Sequence, residues 1–119
     1  MGEVINGRAI ERNYQVDGPG PIMLSIVIGD AQIGGSGVKL EDKLIGKGTI
    51  NHFPIGTPAE VRGKKLNIRT VVADVNPNTN HTSVTYILTG GIDEADFTLL
   101  FDAPHDKDAV PYTAVFTFV

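Results

Sequence analysis

The residues best suited to chemistry in this 119-residue sequence are oxygen donors at alternate positions: Asp74, Asn76, Asn78 and Asn80. A hard cation such as calcium takes its ligands from clusters of this kind. The run departs from an EF-hand loop. Thr79 stands at the sixth position, where Gly is needed, and Thr85 at the twelfth, where Glu is needed. A second cluster, Asp102, His105, Asp106 and Asp108, is more acidic. Pooling the two gives the expected calcium ligands Asp74, Asn76, Asn78, Asp102, Asp106 and Asp108. His81 and His105 with Asp106 would make a two-His, one-carboxylate set for a transition metal, but no regular His spacing supports it. The simpler reading of both clusters is a pair of polar surface loops whose Asn and Asp side chains cap their own backbone.

Other chemistry has less to build on. The serines are Ser25, Ser36 and Ser83, and none sits in a Gly-x-Ser-x-Gly elbow. The Gly34–Gly37 run around Ser36 reads as a flexible turn or bulge. Gly46-Lys47 and Gly63-Lys64 lack the upstream glycine of a phosphate-binding loop, since Glu41 and Pro58 occupy that place. Asn80-His81-Thr82 fits a glycosylation sequon, which matters only in a eukaryotic secretory chain. There is no Cys, so neither disulfides nor thiolates are available. An enzyme is therefore not expected, nor any organic cofactor.

The elements that must position these loops are strands. Fourteen Gly and seven Pro fall at intervals and punctuate β-rich runs. Eight segments read as strands: 8–16, 21–28, 32–40, 44–53, 65–75, 82–89, 95–101 and 112–119. In 65–75, Leu66, Ile68, Thr70 and Val72 alternate with polar Asn67 and Arg69. In 112–119, Tyr112, Ala114, Phe116 and Phe118 share a face, as aromatics filling a core do. The one helical candidate is Lys39 to Ile45. Gly90-Gly91-Ile92-Asp93 turns 82–89 into 95–101, Arg62-Gly63-Lys64 makes a second reversal, and 76–80 is a loop. The expected fold is all-β: a single-domain antiparallel β-sandwich over 1–119, jelly-roll or Ig-like or C2-like, with about seven or eight short strands. In such a fold the hairpin brings loops 74–81 and 102–111 to one apex, where sandwich domains often bind.

Charge divides the chain unevenly. Its net charge is −4. Residues 39–69 carry seven basic and three acidic groups, net +4, and residues 70–119 one basic and seven acidic, net −6. The overall acidity and the absence of Trp argue against a nucleic-acid partner. No apolar stretch is long enough to span a bilayer and no signal peptide is evident, so the chain is expected to be cytoplasmic, or exported with its leader absent. The leading functional expectation is a non-catalytic interaction or assembly module. It would bind a protein, itself or another, through sheet edges and opposite charge, with Arg62, Lys64 and Lys65 at the interface and a homo-oligomer as the product. The alternative is a ligand-binding sandwich that holds a carbohydrate or lipid head group, with or without calcium, in loops 74–81 and 102–111.

Overall fold

The computed structural model describes residues 2–105 and 107–119, so Asp106 lies outside the described residues. The strands with the clearest alternation form the middle of the molecule. β7 (Lys65–Ala73) and β10 (Ala109–Phe118) pair antiparallel from Ala109 opposite Ala73 to Thr117 opposite Lys65. This register puts Leu66 opposite Phe116, Ile68 opposite Ala114 and Thr70 opposite Tyr112, all with buried side chains. Their outward neighbours Asn67, Arg69 and Thr113 point away from the core, as the two-residue period of a strand requires.

The remaining elements are β1 (Gly2–Asn6), β2 (Ala9–Tyr14), β3 (Ile22–Ile28), β4 (Ile33–Leu40), β5 (Lys43–Gly48), β6 (Phe53–Gly56), α1 (Pro58–Val61), β8 (His81–Thr89) and β9 (Ala95–Asp102). They make two packed sheets of five strands. The first has the order β1-β9-β8-β3-β6 and the second β2-β10-β7-β4-β5. The all-β sandwich is thus the fold, with ten strands among the described residues rather than seven or eight.

Three further departures from the sequence reading have physical reasons. The sandwich is not wholly antiparallel: β1 lies parallel to β9 and β2 parallel to β10. Alternation sets which face of a strand is buried and is blind to its direction. The segment Lys39–Ile45 is not helical. It is a tight β4–β5 reversal, with Glu41 at φ 55° and its carboxylate accepting a hydrogen bond from Lys65 N. Seven residues give too short an apolar pattern to separate the two periods. Finally, the expected strand 44–53 is two strands in different sheets. Ile50, buried between them, accepts a hydrogen bond at its carbonyl from Ile26 N. α1 is a single turn closed by a capping box, Thr57 with Glu60, and Pro58 begins it.

The core is not purely apolar. Ser36 Oγ and Thr70 Oγ1 are 2.8 Å apart, and the Tyr86 hydroxyl reaches Thr70 from the other sheet at 3.1 Å. Thr82 and Tyr112 make a second hydroxyl pair between the sheets. Ser36 is therefore a core hydrogen-bonding group. Among the described residues, every buried side-chain nitrogen or oxygen has a partner, as native interiors require.

Burial pushes the Tyr86 phenol up to about 12. Its folded pKa lies above the unfolded value near 10, so its contribution is complete below pH 10 and is lost as pH rises towards 12. A shift of two units is worth about 2–3 kcal/mol. Burial also raises Tyr14 and Tyr112. We expect base-induced unfolding in this window, followed by tyrosinate absorbance and circular dichroism, and a shallower loss of stability for Tyr86→Phe. Titration of Tyr86 near pH 10 in a folded protein would contradict this.

Candidate functional site

The sandwich brings the two polar loops together. His81 begins β8 opposite Asp102 at the end of β9. Asp74 N donates to Asp108 O at 3.0 Å, and Ala103 N to Asn80 O at 2.8 Å. The apex inferred from the hairpin therefore exists, and its organiser is Gln32, just before β4. The Gln32 amide is buried. Its Nε2 donates to Asp74 Oδ1 at 2.8 Å and to the carbonyls of Thr79 and His81, while its Oε1 accepts from the amides of Val75 and Asn76.

Much of the expected ligand set is committed to local bonds. Asp74 is buried beneath Gln32. Asn76 Oδ1 accepts from Asn78 N, and Asp108 Oδ2 accepts from His105 N. Asp102 pairs with His81, Nδ1 to Oδ1 at 2.5 Å, on the exposed surface. The hydrogen bond to Asp102, and then its charge, raise the His81 pKa. Among the described residues no three His, Asp or Glu side chains are grouped to hold a metal ion. Asp106, shared by the calcium and transition-metal sets, falls outside those residues.

The basic residues expected at an interface, Arg62, Lys64 and Lys65, lie together between the end of α1 and the start of β7. Arg62 is held by an ion pair with Asp17. Lys64 and Lys65 are exposed where the chain enters β7, an inner strand. The outermost strands are β1 and β6 in the first sheet, and β2 and β5 in the second. Of these, β6 is short and carries Pro54, whereas β5 carries Lys43 and Lys47, features that discourage pairing at an edge.

A different basic surface is better formed. On the outer face of the second sheet, a groove of about 630 Å³ runs across β5, β4, β7 and β10. Register aligns its walls. Lys47, Gly37, Arg69 and Thr113 make one row across the strands, and Leu44, Lys39, Asn67 and Val115 the next. Val71 lies alongside, opposite Gly35. The groove is therefore lined by Gly35, Gly37, Val71 and Val115, with the cations Lys39, Lys47 and Arg69 standing among them. Leu44 is 52% exposed and Val71 40%, which leaves apolar surface between the charges. Among the described residues none of the three cations enters an ion pair. No family model matches this chain, and no curated protein or solved structure matches it.

The groove owes its depth to two glycines that the fold does not demand. A Cβ on Gly35 would meet Gly48 no closer than 3.8 Å, and one on Gly37 would meet only Leu44 Cδ1 at 4.0 Å. Both contacts are ordinary, so side chains would fit there and fill the hollow. Sequence alone hides this face, because a strand interrupted by glycines reads as a turn or bulge, and Lys39, Lys47 and Arg69 read only as charge. The phase of β4 was the available signal: Val38 faces inward, so Gly35, Gly37 and Lys39 must face out together. No helix among the described residues is long and apolar enough to cross a membrane.

Proposed function

We propose that this chain is a non-catalytic interaction module that holds an acidic protein surface against the outer face of the second sheet. The observation that carries this reading is the groove itself: an apolar lining with Lys39, Lys47 and Arg69 standing in it, and no carboxylate paired to them among the described residues. Charges placed around an apolar contact steer and select a partner, while the apolar area supplies much of the affinity. The groove's volume lies within the range of ordinary binding sites, about 300–1,000 Å³. The chain's net charge of −4 and the apolar lining favour a protein over a nucleic acid as partner. The acidity of residues 70–119 makes another copy one source of such a surface.

Light scattering at high protein concentration tests this. Between about 0.1 M and 1 M salt the screening length falls from about 10 Å to about 3 Å, so charge-steered assemblies should come apart at least in part. Gly37→Val fills the groove without changing charge, and Lys47→Glu with Arg69→Glu reverses its charge. Both should abolish association and leave the circular dichroism spectrum unchanged. Association untouched by both variants would place the contact elsewhere and remove the reading.

A further inference from the structure

The geometry points to the β8–β9 turn of a second copy as the occupant of the groove, an inference that rests on the reading just given. The turn presents Ile92, 55% exposed, beside exposed Asp93 and Glu94. Among the described residues neither carboxylate is in an ion pair. An apolar knob beside anions is the complement of an apolar groove that holds cations.

The turn is also held rigid. Ile92 N donates to Gln15 O at 3.1 Å, and Gly20 N to Gly90 O at 2.7 Å. The Tyr14 hydroxyl accepts from Gly91 N and donates to Asp93 O at 2.7 Å. Gly90 has φ 94°, and a Cβ there would stand 2.0 Å from Pro21 O, so the backbone is packed too closely for any other residue. These bonds secure the main chain and leave the Ile92 side chain outside the core. A pre-ordered knob loses little entropy on docking.

The turn belongs to the first sheet, and the groove opens on the side of the second sheet that faces away from it. A molecule therefore cannot fill its own groove. The contact is between different patches on two copies, so it either closes reciprocally in a two-fold dimer or repeats head to tail into a ring or an open chain.

Complementary charge reversal tests the pairing, with sedimentation velocity at low salt as the readout and melting curves to confirm folding. Asp93→Lys with Glu94→Lys, and separately Lys47→Glu with Arg69→Glu, should each leave monomers. Mixing the two variants should restore assembly, because the native turn of one meets the native groove of the other. Ile92→Ser, with all charges kept, should weaken association about ten-fold or more. If the turn variants assemble like the native chain while the groove variant does not, this inference fails and the proposed function stands. Insensitivity to both reversals defeats both. A native chain that stays monomeric at every concentration overturns the inference.

Discussion

Replacing Phe116 with alanine is expected to lower the unfolding free energy by about 3–5 kcal/mol, the usual loss for a core aromatic. Phe116 is fully buried on β10 and meets rings from the opposite sheet. Its centroid lies 5.3 Å from that of Phe97 and 6.2 Å from that of Tyr86, the latter edge-on. Deleting the ring removes transfer energy and leaves a cavity between two sheets whose hydrogen-bonded backbones collapse only in part. The aromatic pairs add about 0.5–1.5 kcal/mol each beyond burial. Denaturant titration should show the midpoint falling with the slope unchanged. Val4→Ala is the control: Val4 is 66% exposed on β1, and its loss should stay within about 0.5 kcal/mol. A Phe116→Ala loss below about 1 kcal/mol would mean that the sheets do not meet around this ring.

Legibility in the sequence follows from how much each element depends on its own residues. β7, β8 and β10 announce themselves because an inner strand buries every second side chain, which writes Leu66-x-Ile68-x-Thr70-x-Val72 into the chain. β1 leaves no such trace. Four of its five residues are exposed, and it is a strand because β9 offers it an edge. Its direction was equally hidden, since pairing parallel or antiparallel leaves the same face buried. α1 is too short for a period, and its signature was the capping box Thr57-Pro-Ala-Glu60. The apex followed from hairpin geometry alone, because residues flanking a hairpin must end up adjacent. The groove did not, because it is built from absent side chains at Gly35 and Gly37 and becomes visible only when four strands are laid side by side.

Gln32 was invisible for a related reason: its partners lie 42–49 residues away. Gln32→Met keeps the length of the side chain and removes both its donor and its acceptor. The Asp74 carboxylate then loses a bond of the charge-assisted kind, worth about 1.5–3 kcal/mol. The amides of Val75 and Asn76 lose their acceptor, at about 1 kcal/mol each where water replaces it imperfectly. We expect an overall loss of about 3–5 kcal/mol and, more tellingly, a loss of protection that is greatest at one place. Hydrogen exchange at Val75 and Asn76 should accelerate well beyond what the global destabilisation explains, because the bracket that closes loop 74–81 has gone. Gln32→Glu should be worse than Gln32→Met at neutral pH, since it replaces the donor that Asp74 Oδ1 accepts from with a second carboxylate. Equal exchange rates in native and Gln32→Met protein would show that the loop is shaped by its own Asn76–Asn78 turn and not from beneath. With both β7 and β8 anchored at this loop, its order bears on the sheets themselves. Destabilisation by Gln32→Met should therefore be cooperative with the fold, appearing as one unfolding transition at a lower midpoint.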